Sequence, residues 1–198
     1  MTMRLKKLSM MALALEVTVS ALAQTAPVQT FGLDKNQTPA WEIPLSYDLF
    51  RANAPAGQCG CFWMNGGGSG LVVNAKHGIS LVADLTAVHT DKINKTGEAL
   101  TIFDYQFGPR YSFRTHSRFT PYAQVLIGGS HLSSNYYGGG SNYFGSTVGG
   151  GVRLRVHRYL ALTLGEADWA LSKATNNNSD KQNNLRVTTG VVFLFGPR

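Results

Sequence analysis

The chain has 198 residues, of which 43% are hydrophobic and only 15% charged, so it is long enough for a substantial domain and too apolar to be a disordered polymer. Its formal charge is +7, and the charge that lies beyond the first 23 residues is dispersed without a basic block, which argues against a nucleic-acid partner. Twenty-two glycines, 11% aromatic residues and hardly any helix-period pattern after residue 40 predict an all-β chain with many turns.

The first 23 residues have the pattern of an export signal. Three basic residues within positions 4–7 precede the largely apolar run LSMMALALEVTVSALA, whose last three residues, 21–23, are a small-x-small cleavage site. That run has only 16 residues and contains Glu16, so it is a poor candidate for a spanning helix. We therefore predict a cleaved signal peptide over 1–23 and a mature chain that starts at Gln24.

Two cysteines, Cys59 and Cys61, lie two residues apart in QCGCFW. An exported chain meets an oxidising compartment, which favours a disulfide between them, although so short a ring is strained. Two free or intermolecularly paired thiols are the alternative. This stretch supplies too few ligands for a metal site, and we expect neither a metal nor a cofactor.

Residues 41–196 divide into eight strand-like runs, which follow a flexible N-terminal segment over 24–40. Apolar and polar residues alternate in WEIPLSYDLF, in ISLVADLTAV and in IFDYQFGPRYSFR, which is the pattern of a strand with two different faces. The predicted strands are 41–51, 64–74, 79–89, 99–114, 119–130, 145–156, 159–171 and 184–195.

The connections between these strands alternate between short and long. The short ones, in NAKHG, RTHSRF and VHRYL, carry His near Lys or Arg, whereas the long ones, such as 131–144 and 172–183, are rich in small and polar residues. This rhythm predicts an eight-stranded antiparallel up-and-down barrel with short turns at one rim and long loops at the other. An even number of strands places both termini on the short-turn side.

The two faces of the strands distinguish a soluble barrel from a transmembrane β-barrel. A soluble barrel would bury the aromatic face of residues 103–113 in an interior that is too narrow for it. In a membrane barrel the apolar face meets lipid, and the closed ladder satisfies every backbone hydrogen bond. We therefore predict a transmembrane barrel with a charged lumen.

The predicted lumen charge network mixes acids and bases on one face of the strands, with some acids expected to pair with arginines and to close the lumen to ions. Two of its acids, Glu166 and Asp168, belong to it only if a bulge near Gly165 shifts the register. Its members are Asp48, Asp84, Asp104, Arg110, Arg153, Arg155, Glu166, Asp168 and Arg186.

Glycines and aromatic residues give two further expectations. Glycines at 128–129 and 149–151 allow strong coiling and leave room for arginines from neighbouring strands. Candidates for the two interfacial aromatic girdles are Trp41, Tyr105, Tyr122, Tyr159 and Trp169.

Three stretches, LTIFDYQFGPRYSFRTHSRFTPYAQVLIGGSH, GGGVRLRVHRYLALTLGEADW and LRVTTGVVFLFG, resemble the bacterial outer-membrane β-barrel family related to the transmembrane domain of outer membrane protein A. The resemblance covers most of 41–196. It implies residence in the bacterial outer membrane, contact with outer-membrane lipid, and assembly by the barrel assembly machinery through a C-terminal strand. That strand ends in an aromatic residue in the family, and here Phe195 is followed by three more residues.

The sequence favours a structural or surface-interaction role for a monomeric barrel, with an extracellular ligand at the long loops. A narrow porin-like channel is one alternative, and a lipid A-modifying hydrolase is another. His131 and Ser133 have a His-x-Ser spacing that resembles lipid A deacylases, but no acid between Asp104 and Glu166 is available to orient the histidine. We therefore expect no catalytic residues and no enzymatic activity.

Overall fold

Eight antiparallel strands pair in chain order in a computed structural model that describes residues 37–53, 61–93, 99–114, 118–134, 139–173 and 182–197. Pairing of the first strand with the last closes the barrel, which confirms the predicted fold. In these ranges no helix is long and apolar enough to cross a membrane. The strands are β1 (Pro39–Asn53), β2 (Cys61–Asn74), β3 (Ile79–Thr90), β4 (Leu100–Ser112), β5 (Phe119–Ser134), β6 (Gly139–His157), β7 (Leu160–Ser172) and β8 (Gln182–Pro197).

Two predictions fall wholly or partly on other parts of the chain. The signal peptide over 1–23 and most of the segment over 24–40 lie outside the described residues. Cys59, one half of the candidate disulfide, lies outside them as well, whereas Cys61 begins β2 and is exposed.

The predicted long loop over 131–144 is mostly strand. The ladder between β5 and β6 continues to the pair Ser134↔Gly139, so only residues 135–138 connect the two strands. Gly, Ser and Asn are weak strand formers, and the sequence pattern therefore suggested a loop. Pairing with a neighbouring strand overrides this local preference.

The short turns lie at one end of the barrel, together with both ends of the described chain. β2 and β3 are joined through a 3-10 turn over Lys76–Gly78, in which His77 and Gly78 have φ of 60° and 81°. β6 and β7 are joined by residues 158–159 alone. We call this end the short-turn end and the opposite one the long-connection end.

The outer face of the barrel is apolar. Large apolar side chains alternate outward on all eight strands, and the most exposed of them, Trp169, is 59% exposed. Four of the five girdle candidates project outward, but Tyr122 is only 4% exposed and faces the lumen. The prediction for Tyr122 is wrong because it lies on the inward parity of β5, next to outward-facing Ala123.

A bulge in β7 provides the register shift on which the inward placement of Glu166 and Asp168 depends. The pairing of β7 with β8 is irregular between Thr163 and Glu166, and the pairing with β6 shifts at the same level. Thr163 and Glu166 are both buried, and the two residues between them are both exposed. The bulge therefore turns Glu166 and Asp168 into the lumen.

Two glycines of β6 leave space inside the barrel. Gly149 is paired with Gln124 on one side and Asp168 on the other, and Gly151 lies likewise between Tyr122 and Glu166. A Cβ atom at Gly149 would lie 1.9 Å from Asp168 Oδ1, and one at Gly151 would lie 2.8 Å from the Tyr122 hydroxyl. The space is thus used by side chains of β5 and β7 rather than by arginines, which were expected there.

Replacing Gly149 with alanine should destabilise the folded barrel. The added methyl group overlaps Asp168 and the backbone oxygen of Ala167, and overpacking of this kind costs about 1–3 kcal/mol. The matched control is Gly165→Ala, because nothing lies within 4 Å of the added Cβ atom there. Thermal unfolding of the refolded barrel, followed by gel mobility, measures both variants. Equal melting of the two would contradict the assigned role of Gly149.

Candidate functional site in the barrel lumen

Arg186 on β8 joins acids from opposite sides of the lumen. Its Nε and Nη2 donate to Asp168 Oδ2 on the adjacent β7, at 3.0 and 2.7 Å. Its Nη1 reaches across to β3, where it donates to Asp84 Oδ2 at 2.8 Å and to Thr86 Oγ1 at 2.9 Å. Glu166 Oε1 lies 3.7 Å from Nη2. A single planar guanidinium therefore connects three predicted network acids.

Tyr122 lies at the centre of a second group. Its hydroxyl donates to Glu166 Oε2, and the guanidiniums of Arg110 and Arg153 lie 4.3 and 5.1 Å from its ring centroid, within cation–π range. Arg110 donates from Nε and Nη2 to Gln124 Oε1 at 3.0 and 2.6 Å, and Gln124 Nε2 donates to Glu166 Oε1 at 3.0 Å. Arg110 Nη2 lies 4.0 Å from Glu166 Oε2. The closer contacts to this carboxylate therefore come from the amide of Gln124 and the phenol of Tyr122.

Glu42 on β1 is a lumen acid that the predicted network omits. Its carboxylate accepts a hydrogen bond from Arg153 across the lumen, and Arg114 Nη2 lies 3.6 Å away. Asn74 Nδ2 also donates to Glu42 Oε1, at 2.7 Å. Glu42 is 2% exposed and therefore fully inside the barrel. Its place on the polar face of WEIPLSYDLF was the signal that could have identified it.

Asp48 and Asp104 have hydroxyl partners rather than arginines. Asp48 accepts from Ser46 Oγ at 2.8 Å and from Thr188 Oγ1 at 2.5 Å. Asp104 accepts from Ser130 Oγ. Neither carboxylate has a basic nitrogen of the described residues within 4.0 Å. The structure thus places both aspartates in the lumen, but it does not bring them into ion pairs.

Charge is unevenly distributed along the lumen. Arg110 and Arg153 lie in the parts of their strands nearer the short-turn end, as does Arg155, whose Nη1 donates to the carbonyl oxygen of Gln37 at 2.7 Å. Asp48, Asp104 and Asp168 lie nearer the long-connection end, where Arg186 accompanies them. The short-turn half is therefore rich in arginine and the long-connection half is rich in aspartate.

An apolar cluster fills the lumen at the long-connection end, and the sequence analysis missed it. Several apolar residues there have the inward parity that was assigned to polar residues. The buried members of this cluster are Phe50, Ala52, Phe62, Met64, Val88, Ile93, Ile102 and Ala170, with Leu100 and Leu132 packed against them. At this end of the barrel, apolar packing thus lies beyond the charged groups.

Solved structures with the same fold exist. The crystal structure of Neisserial surface protein A has a TM-score of 0.64 at 16% identity and covers 79% of this chain and 97% of that chain. Ail, the attachment invasion locus protein of Yersinia pestis, has a TM-score of 0.51 at 10% identity, and the match covers 79% of this chain and 100% of Ail. The structure of Ail in complex with the heparin analogue sucrose octasulfate has a TM-score of 0.54 at 11% identity, and the match covers 78% of this chain and 97% of that chain.

No protein-family model and no curated protein matches the sequence. At sequence identities this low, a structural match shows only that the fold is shared. They agree with the resemblance in the sequence, with the order of the strands and with the closure of β1 on β8. The chain has the fold of the small eight-stranded outer-membrane β-barrels.

Proposed function

We propose that this protein is an integral barrel of the bacterial outer membrane, with a lumen closed by its own side chains and a structural or surface-interaction role. The observation that carries the proposal is the inversion of its faces: large apolar side chains cover the outside, whereas carboxylates and guanidiniums are buried inside. Lipid stabilises such an exterior, and water does not. Export by the predicted signal peptide would deliver the chain to this membrane.

The contacts across the lumen support a closed interior. Arg186 bridges β8 and β3, Arg153 bridges β6 and Glu42 on β1, and the Tyr122 hydroxyl reaches Glu166 over β6. An eight-stranded barrel has room for little more than its own side chains. The same groups that satisfy one another therefore occupy the cross-section that an ion would need.

The long-connection end is the proposed interaction surface. Ail, which shares the fold, is named for attachment and invasion, and one of its structures contains a heparin analogue. We assign the corresponding role, binding of an extracellular ligand, to the connections at this end. Assembly as a monomer through β8, whose Phe195 projects outward, completes the proposal.

The proposal assigns no catalysis to the barrel. Nδ1 of His131 lies 2.8 Å from Asn142 Oδ1, and His131 and Ser133 lie on a rim strand segment rather than in the charged lumen. No carboxylate of the described residues lies within 4.0 Å of a ring nitrogen of His131. A hydrolytic triad needs such a group to orient the histidine.

Removing Glu42 should destabilise the barrel more than removing both Glu42 and Arg153. Glu42→Ala leaves two guanidiniums without their carboxylate, and breaking a buried pair typically costs about 3–5 kcal/mol. Arg153→Ala should cost less, since Arg114 and Asn74 remain beside Glu42. Denaturant unfolding of the refolded variants measures the cycle.

Arg158→Ala is the matched control for that cycle, because this exposed arginine stacks on Tyr159 at the rim and should contribute little. If the double variant loses as much stability as the two single variants combined, Glu42 and Arg153 act independently and the coupling is absent.

The unmodified barrel should be nearly silent in a planar lipid bilayer. Arg153→Ala removes the side chain that spans from β6 to β1, and it should produce small, flickering conductance events. Single-channel recording at ordinary voltages measures both proteins, with Arg158→Ala as the control. Steady conductance by the unmodified barrel would overturn the closed lumen and would favour the porin-like channel.

Trypsin added to intact cells should cut at the long-connection end first. Lys173 and Lys181 flank the connection between β7 and β8, whereas Arg114, Arg118 and Arg158 lie at the short-turn end. Fragment masses identify the cut sites, and permeabilised outer membranes provide the control in which both ends are accessible. First cleavage at Arg114 or Arg118 in intact cells would reverse the proposed orientation.

A further inference from the structure

Two exposed cations lie at the short-turn end, on neighbouring turns of the barrel. Lys76 belongs to the 3-10 turn between β2 and β3, and Arg118 directly precedes β5. Both residues are exposed, and neither has a carboxylate of the described residues within 4.0 Å of its side-chain nitrogens. Their positive charges are therefore available to a negatively charged partner.

The acids of the described residues do not balance these charges at the surface. By position in its strand, the acid nearest the short-turn end is Glu42, which is 2% exposed. Its carboxylate lies inside the lumen, where Arg153 and Asn74 donate to it. Asp91, whose side chain is 92% exposed, follows β3 at the opposite end of the barrel. The described surface of the short-turn end is therefore positive.

Outward aromatic side chains lie between the two cations. Tyr111 and Phe113 are 48% and 52% exposed, and their rings are in T-shaped contact with centroids 4.9 Å apart. Tyr111 is paired with Ile79, the first residue of β3 after the turn that carries Lys76. Phe119, which follows Arg118, is 49% exposed. The cations therefore border directly on an aromatic surface of the kind that lies at a membrane–water interface.

Cations beside outward aromatic side chains fit one chemical class of partner, a phospholipid whose headgroup has a net negative charge. Its phosphate would lie at the level of Lys76 and Arg118, which supply a point charge and a planar fork of donors. Its acyl chains would lie along the rings below them. A soluble polyanion would use the cations but would leave the outward rings without a partner. The combination therefore favours the lipid.

We propose that the short-turn end binds anionic phospholipid in preference to neutral phospholipid. The binding surface, which we call the short-turn patch, consists of Lys76, Tyr111, Phe113, Arg118 and Phe119. This inference rests on the proposed function, because only a barrel that spans a membrane brings this rim to the level of the headgroups. Each cation close to an anionic membrane surface strengthens the attraction by about fivefold.

An NMR titration of the isotope-labelled barrel in nanodiscs tests the proposal. The discs contain dioleoylphosphatidylcholine, and dioleoylphosphatidylglycerol replaces an increasing fraction of it. Amide signals of the short-turn patch should shift and saturate at a low fraction of the anionic lipid, whereas those of Arg51 and Lys92 at the long-connection end should not saturate. A high concentration of sodium chloride should reverse most of the shifts, because it screens the charges. Absence of saturable shifts in the patch, or equal saturation at both ends, would overturn the proposal.

The double variant Lys76→Gln/Arg118→Gln identifies the groups that recognise the charge. With the amide signals of Tyr111 and Phe113 as the readout, it should weaken the binding of phosphatidylglycerol at least tenfold at low ionic strength. Arg51→Gln/Lys92→Gln is the matched control, since it removes the same charge from exposed residues at the long-connection end. Its affinity should stay within twofold of the unmodified barrel. Equal weakening by both variants would overturn the proposal, because net charge alone would then attract the lipid.

Insertion into pure phosphatidylcholine separates this inference from the proposed function. Gel mobility and protection from protease show whether the barrel inserts into the neutral bilayer. A barrel that does not insert contradicts residence in a membrane. A barrel that inserts but does not prefer the anionic lipid contradicts the short-turn patch alone.

Discussion

Closure of the ladder between β1 and β8 is the constraint on which the other features depend. The pairing runs from Pro39↔Pro197 to Arg51↔Leu185 and leaves no open edge in the described barrel. In a bilayer each unpaired backbone group would cost several kcal/mol, because no water replaces the missing partner. Closure also gives each strand one inner and one outer face. The bulge at Gly165 shifts this alternation in β7, so that Glu166 and Asp168 face inward.

The narrow interior that closure creates explains the combination of glycines and charges. Water cannot solvate every buried group there, so donors and acceptors must satisfy one another across the lumen. Gly149 and Gly151 carry no side chains, which lets residues of β5 reach those of β7 over β6. The guanidinium of Arg186 then donates hydrogen bonds to acids on both β7 and β3. Small residues and charged residues are thus parts of one packing arrangement.

The fold was predictable from the sequence because alternation and turn spacing are local signals. The inward parity of Asp84 and Arg186 follows from that alternation and places them in the lumen, whereas Glu166 and Asp168 face inward only because of the bulge in β7. Several of the side-chain contacts inside were not predictable, because they join strands that are not neighbours. Glu42 meets Arg153 from β1 to β6 for that reason. The inward orientation of Tyr122 could be predicted only from its position in the alternation of β5, since its aromatic character alone suggested a place at the lipid boundary.

The buried polar atoms that lack hydrogen-bond partners differ in what surrounds them. Arg110 Nη1 and Arg153 Nε lack hydrogen-bond partners, but both guanidiniums lie against the ring of Tyr122, which offsets part of their desolvation. Gln106 Oε1 lines a pocket instead, beside an aspartate that has a hydroxyl partner. Both halves of the described lumen therefore keep polar atoms without hydrogen-bond partners: donors against an aromatic ring in the short-turn half, and an acceptor toward the long-connection end.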